Sequence, residues 1–235
     1  MKYFIIIQSR YTSKRLPGKA LKKVKKKEML LYLIERLKQK KIFHNKIIVA
    51  TSNSISDDKI IKFCEKNNIK YFRGPLNNVF KRYLLIIKKF NLDYIIRING
   101  DSPLIDYRII VQAIKKFKQY KSKDVDMITN TLTRSFPKGQ SVEVINSKTI
   151  ININDYIKKK IDKEHVTKYI YDNANRFKIK NIKYKKKLEK INMSVDNIFD
   201  FKNFEKTVLN KKFKYSLTFL QILKFGYYKT SLEKK

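Results

Sequence analysis

Three segments hold residues whose types and spacing suit chemistry on a charged substrate. The first is Gln8-Ser9-Arg10-Tyr11-Thr12-Ser13-Lys14-Arg15-Leu16-Pro17-Gly18-Lys19, with four basic residues and five that are Ser, Thr, Pro or Gly. Guanidinium forks, an ammonium group and turn N–H groups are what surround a polyphosphate. The segment is not a Walker A loop, because that motif's first Gly and its last Ser or Thr fall on Ser13 and Ala20. Nor is there a G-x-G-x-x-G, since the five glycines stand at 18, 74, 100, 139 and 226. The second segment runs Arg97-Ile98-Asn99-Gly100-Asp101-Ser102-Pro103-Leu104-Ile105-Asp106. Asp101 suits a hard cation, which is typically held by one or two carboxylates plus substrate phosphates, and it equally suits a plain turn. Asp106 stands where a helix cap is expected. The third is Met193-Ser194-Val195-Asp196. Its acid lies 95 residues after Asp101 and serves either as a second metal carboxylate or as the cap of a helix starting near Asp200.

The surrounding pattern supplies elements to hold these segments. Lys2–Gln8, Lys46–Thr51, Lys70–Phe72 and Asp93–Ile98 read as nearly uniform apolar strands. Between and after them, helical spacing predicts helices over 28–41, 57–68, 79–90 and around 109–117. Such alternation predicts an α/β fold with a mostly parallel sheet covered on both faces, whose loops after the strands form the ligand crevice. Beyond residues 125–130 the rhythm changes. Strands over 141–146 and 177–183, a short helix over 164–172 and a helical stretch from 201 to 225 predict a small antiparallel substrate-side lobe and helices packing back on the sheet. No Gly-, Pro- or Ser-rich linker divides the chain, so we expect one unit. Residues 1–130 form its nucleotide part, 131–195 its acceptor side and 196–235 its closing helices.

The 235 residues include 56 basic and 20 acidic ones, a formal balance of +36. Nearly all the excess is Lys: there are 47 Lys and 9 Arg, alongside 33 Ile, 19 Asn and only 4 Ala. That is the residue profile of A/T-rich codons, and the charge is spread evenly instead of gathered in a tail. It reads as a solvated Lys coat, and nucleic acid is an unlikely partner. An apolar fraction of 43% is enough for a core. One Cys excludes an internal disulfide or a Cys-rich zinc site. The five-residue apolar run at Tyr3–Ile7 is too short for a secretory or membrane-spanning segment, so the expectation is a cytoplasmic protein without a membrane partner.

Taken in order, QSRYTSKRLPGK, IIVATSN, FRG, RINGDSPLID, NTLTRSFPKG, SVEV, EHVTKYI and SVD resemble the cytidylyltransferase family, in particular its spore-coat polysaccharide branch. The likeness spans residues 3 to 205. It implies a Rossmann-like, GT-A-like nucleotidyltransferase fold and transfer of CMP from CTP to a sugar of the ulosonic or sialic acid type, with release of pyrophosphate. It also implies that Arg10, Ser13, Arg15 and Lys19 hold the phosphates, with Gln8 beside them, and that Asp101 and Asp196 hold Mg²⁺. Thr51, Ser52, Arg73 and Asn99 would then lie near base and ribose. Asn130, Arg134, Glu143 and His165 would face the acceptor, with Arg134 or Lys138 meeting its carboxylate. On residues alone, Glu143 equally reads as the outward face of a strand and His165 as a satisfied helix-start histidine. The family pattern has Met-Gly-Ser where this chain has Tyr11-Thr12-Ser13. It has acids where this chain has Lys81 and Ser141. A homodimer is expected. Two rival readings stay open here: transfer from another nucleoside triphosphate to a sugar phosphate, and a non-enzymatic polyanion binder.

Overall fold

The computed structural model describes residues 1–13, 15–120, 124–226 and 228. Its strands are β1 (Tyr3–Gln8), β2 (Lys23–Val24), β3 (Lys27–Glu28), β4 (Ile47–Ser52), β5 (Lys70–Gly74), β6 (Tyr94–Asn99), β7 (Met127–Thr129), β8 (Glu143–Asn146) and β9 (Ile179–Asn181). The helices are α1 (Met29–Lys38), α2 (Asp58–Lys66), α3 (Val79–Phe90), α4 (Tyr107–Lys118), α5 (Ser147–Asn152), α6 (Lys160–Glu164), α7 (Lys168–Asp172), α8 (Ile198–Leu209) and α9 (Phe219–Leu223). Seven strands form one sheet in the order β5-β4-β1-β6-β8-β7-β9, and β2 and β3 make a separate antiparallel ribbon.

The first four helices lie close to where the apolar spacing puts them. β1 pairs parallel with β4 and β6, and β4 pairs parallel with β5. Alternation along β1 divides the core. Ile5 and Ile7 belong to a cluster with Leu33 of α1, Phe63 of α2, Ile110 of α4 and Phe204 of α8, while Phe4 and Ile6 join Tyr83 of α3 and Ile150 of α5. Helices therefore cover both faces, as expected for strands without a polar side.

The second half departs in detail. β8 is antiparallel to both β6 and β7, but β9 runs parallel to β7, and all three extend the main sheet. Every residue of β8 is buried, because it sits between two strands with helices on either side. The short helix expected over 164–172 is two helices broken at His165, and the stretch from 201 to 225 is interrupted between α8 and α9. Buried Arg36 ties the last region to the sheet, its guanidinium donating to the carbonyls of Ile105, Tyr215 and Leu217 at 2.9 Å each. No helix among the described residues is long and apolar enough to cross a membrane.

Candidate active site

The loop after β1 is shaped by one glycine and one buried acid. Gly18 has a φ of 68°, and a Cβ there would come within 3.1 Å of the Tyr11 ring. The Tyr11 carbonyl accepts from the N–H of Gly18 at 2.8 Å and of Ser13 at 3.0 Å. The Tyr11 N–H donates to Asp57 at 2.6 Å, and Asp57 also accepts from the N–H of Ser52 at 3.1 Å and from its hydroxyl. The turn thus stays tight without a glycine at position 12, since Gly18 takes the left-handed conformation that side chains resist.

The loop after β6 approaches the first one closely. The Gly100 N–H donates to the Gln8 carbonyl at 2.9 Å, and a Cβ on Gly100 would lie 2.7 Å from that oxygen. Gly139, at φ 87°, lets residues 191–193 lie against Lys138, whose N–H donates to Ile191 and whose carbonyl accepts from Met193, both at 2.9 Å. The Val195 N–H then donates to the Asp101 carbonyl at 2.8 Å. Asn197, not Asp196, caps α8 in a reciprocal box with Asp200. The Asp196 carboxylate is left to face the first loop.

These constraints bring three distant segments to one point. Lys19 Nζ lies 3.6 Å from Asp101 and 3.3 Å from Asp196, and donates to the Val195 carbonyl at 2.7 Å. Arg15 Nη2 meets Asp196 at 2.8 Å. Burial is the main reason that Asp101 titrates above the usual carboxylate range; Lys19 pulls it down and Asp196 pushes it up again. Two carboxylates sharing one ammonium beside an open cavity match the protein half of a hard-cation site, with phosphates to complete it. Among the described residues no group of three or more His, Cys, Asp or Glu forms an all-protein cage.

A cavity of about 410 Å³ opens here, lined among others by Gln8, Arg10, Ser13, Arg15, Lys19, Asn99, Asp101 and Asp196. A second, of about 460 Å³, is lined by Thr131, Arg134, Ser141, Glu143 and Tyr171, and the two share Arg97 and Asn99. Between them Arg97 Nη1 meets Glu143 at 2.6 Å, and Glu143 also accepts from Tyr171 at 2.7 Å and Thr167 at 3.1 Å. Burial is the largest single influence on the Arg97 pKa and lowers it, but Glu143, with Tyr83 and Tyr171, raises it overall. Glu143 is therefore inward, not on an outward strand face. Arg134 donates to Ser141 Oγ at 3.1 Å and has no carboxylate in ion-pair range among the described residues; burial lowers its pKa.

The cytidylyltransferase family model matches residues 4–225. The chain belongs to that family. As a cytidylyltransferase-family member it is a nucleotidyltransferase. It is 31% identical over 179 residues to the spore coat polysaccharide biosynthesis protein SpsF of Bacillus subtilis, covering 74% of this chain and 72% of that one. A 3-deoxy-manno-octulosonate cytidylyltransferase of Fusobacterium nucleatum is 31% identical over 156 residues, 66% of this chain and 61% of the relative. Among solved structures, a cytidylyltransferase from Leptospira borgpetersenii superposes with a TM-score of 0.90 at 28% identity, covering 95% of this chain and 93% of that one.

Within this cytidylyltransferase fold several expected positions fall away from the cavities. Arg73 is spent on Asp58 at 2.9 Å and on the carbonyls of Ser52 and Ser54 at 3.2 Å each. Thr51 and Ser52 are fully buried, and Ser52 serves the Asp57 pin. Asn130 is also buried, its amide donating to the Gln140 carbonyl at 2.7 Å and accepting from the Val142 N–H at 2.9 Å. Its side chain braces the 140–142 backbone and lines neither cavity. Lys138 lines neither cavity. His165 lines the first cavity instead of the acceptor side, next to Glu164, which pairs with Arg10 at 3.5 Å. Asp57 and Arg82, which sequence reasoning missed, have clear places, as does Arg97, which it put at the head of the second segment without a role. The only signal for Arg82 was a charge within the apolar face of α3.

Proposed function

We propose that the enzyme transfers CMP from CTP to an acidic sugar of the ulosonic or sialic type, releasing pyrophosphate, as a step in surface polysaccharide biosynthesis. The observation that carries this is the convergence of Arg15 and Lys19 on Asp101 and Asp196 at one end of the first cavity. The triphosphate binds at that end. Arg10, Arg15 and Lys19 hold its β- and γ-phosphates, Ser13 and Gln8 line its path, and Asn99 sits where nucleotide and acceptor meet. Asp101 and Asp196 would hold Mg²⁺, which supplies charge neutralisation at the phosphates. A sugar hydroxyl attacks the α-phosphorus, and the bond to the β-phosphate breaks as pyrophosphate leaves. For the protein such chemistry is mostly positioning and electrostatics. On triphosphate binding Lys19 would exchange its carboxylate partners for phosphate oxygens.

The second cavity takes the acceptor. Arg134, without a carboxylate of its own, meets the sugar's carboxylate, and Thr131, Ser141 and Tyr171 face its hydroxyls. Ser141 in place of the family's acid leaves that guanidinium free. The name of the Fusobacterium relative supports an acidic acceptor. Further parts of this proposal are a cytoplasmic homodimer acting as one unit, with 1–130 on the nucleotide side, 131–195 on the acceptor side and 196–235 closing the sheet. Residues 227 and 229–235 lie outside the described ones.

Thermal unfolding with Mg²⁺ and each of CTP, UTP, GTP and ATP tests the nucleotide. A ligand at about 100 times its Kd adds ~2.7 kcal/mol, so CTP should raise Tm clearly and the others less. Greater stabilisation by UTP or GTP, with pyrophosphate released from that nucleotide, would overturn the assignment.

A further inference from the structure

We propose that Arg82 reads the base of the bound nucleotide, its guanidinium donating to the O2 and N3 acceptors on the cytosine edge. The inference deepens the reading above and rests on it.

Arg82 lies on α3 and is 1% exposed, yet it lines the first cavity. Among the described residues no carboxylate stands within ion-pair distance of it. Its Nη2 donates to the Pro75 carbonyl at 2.9 Å, while its Nε is buried with no partner. The remaining nitrogen, Nη1, makes no hydrogen bond within the protein and is not buried to the same degree, so the small exposure that Arg82 keeps is on the cavity side. A charged group this deep with an incomplete set of acceptors is costly, and a ligand acceptor offsets that cost. The position is also built for it. A Cβ on Gly74 would come within 2.9 Å of Arg82 Cγ, so glycine at the end of β5 is what lets this side chain lie across the strand end.

The surroundings say which part of a nucleotide belongs there. Leu76 follows Pro75, whose carbonyl Arg82 meets, and Val79 lies on the same helix as Arg82; both line the cavity and suit a flat base better than a phosphate. Pro75 and Leu76 follow β5, whereas Asp101 follows β6, three places along the sheet order. At a spacing near 4.8 Å that is roughly 14 Å, room for ribose and triphosphate between the base and the Lys19 cluster. Burial is the main reason that the Arg82 pKa is lowered, with Arg10 adding a little; Asp57, an acid that raises it, is already occupied by Ser52 and Tyr11. Cytosine presents two adjacent acceptors to a guanidinium. Uracil presents a donor at N3, so the same fork opposes it.

The test is calorimetric titration of CTP, UTP and inorganic pyrophosphate, each with Mg²⁺, into the wild-type protein and Arg82→Met. Hydrogen bonds from a charged donor predict a loss of about 10- to 100-fold in CTP affinity, with UTP and pyrophosphate changed by less than about threefold. The free variant should unfold at a temperature no lower than wild type, because a buried unpaired charge has been removed. Arg82→Lys, which keeps the charge without the fork, should also lose the preference for CTP, and it decides the matter if Arg82→Met does not fold. Equal losses for all three ligands, or a retained CTP preference in either variant, would overturn the inference while leaving the CTP assignment intact. A wild-type protein without preference for CTP would overturn both.

Discussion

Two clusters of cations and carboxylates stand on either side of Asn99, and they are held in opposite ways. At the triphosphate end, Lys19 is shared between two acids at 3.3 and 3.6 Å, and Arg15 reaches Asp196 with a side chain that is 68% exposed. At the seam between the cavities, Arg97 and Glu143 meet at 2.6 Å with side chains only 14% and 6% exposed. Tyr171 and Thr167 occupy the other oxygen of Glu143, and Tyr171 is itself bonded to Thr131 at 2.6 Å. The first cluster divides Lys19 between two partly exposed carboxylates at long range, so its members can change partners when a charged ligand arrives. In the second, Glu143 has donors on both oxygens, and the pair stands as a wall between the two cavities. Charge at an active site therefore does two jobs here, and what distinguishes them is the carboxylate: Glu143 is buried with donors on both oxygens, whereas Asp101 and Asp196 stay partly exposed.

The largest expected effect lies at the fixed cluster. Glu143→Ala leaves Arg97 buried without its counter-ion, which typically costs about 3–5 kcal/mol. In a protein of this size that corresponds to a fall in Tm on the order of 10 °C. Adding Arg97→Met should recover much of the loss, since the remaining charge is then gone. Denaturant unfolding of the single and double variants checks this. A Glu143→Ala protein within about 1 kcal/mol of wild type would erase the contrast between the clusters.

Next is Asp101→Asn in the exchangeable cluster. The expected result is a loss of kcat/KM of about 100- to 1000-fold, from removal of one preorganised charge. Stability should be unchanged or slightly higher. Asp101 has a raised pKa in the folded protein, mainly through burial, so at neutral pH its ionised form weighs against folding and the neutral amide does not. Initial-rate kinetics beside denaturant unfolding would show the split. Loss of activity in proportion to loss of folded protein would mean that Asp101 belongs with Glu143 as a wall.

The exchangeable cluster was far more legible in the sequence than the fixed one. Arg15, Lys19, Asp101 and Asp196 all sit in polar segments that interrupt apolar strands, with Gly18, Gly100 and Pro103 marking the turns. Polar residues that periodicity does not explain invite a chemical reading. Arg82 lies inside a helix pattern, where a single charge looks like a solvated position, and Arg97 stands near a strand end with nothing in the sequence to name Glu143 as its partner. Only the neighbouring strands and helices reveal that each is enclosed. The reverse error fell on Thr51, Ser52, Arg73 and Asn130. They lie at or after strand ends as a ligand-binding residue would, but Thr51 is fully buried and the polar atoms of the other three are engaged by Asp57, by Asp58 and by loop backbone. Which of two nearby partners a polar side chain takes is decided by tertiary geometry, which spacing along one chain does not encode. The parallel strands of the first half were readable because each is long and uniformly apolar. The direction of β9 was not, since three residues of mixed burial carry no sign of which way the neighbour runs.

Arg15 offers the finest test of the comparison, because it is the most exposed member of the exchangeable cluster. An exposed ion pair contributes about 0–1 kcal/mol, so Arg15→Ala should unfold within that margin of wild type. Its effect on the reaction should be far larger, roughly 100-fold in kcat/KM, if the guanidinium moves from Asp196 to the leaving phosphates. Salt separates this from a structural role. Raising ionic strength from about 0.15 M to 1 M shortens the screening length from ~8 to ~3 Å, and long-range attraction for the triphosphate fades in both proteins. The contribution of steering should then disappear from the wild-type/variant ratio, while the part due to direct phosphate contact persists. A ratio that falls to one at high salt would reduce Arg15 to a steering charge. A ratio that holds near its low-salt value would establish a contact made in the transition state, which is what a side chain free to leave Asp196 can provide and one locked like Arg97 cannot.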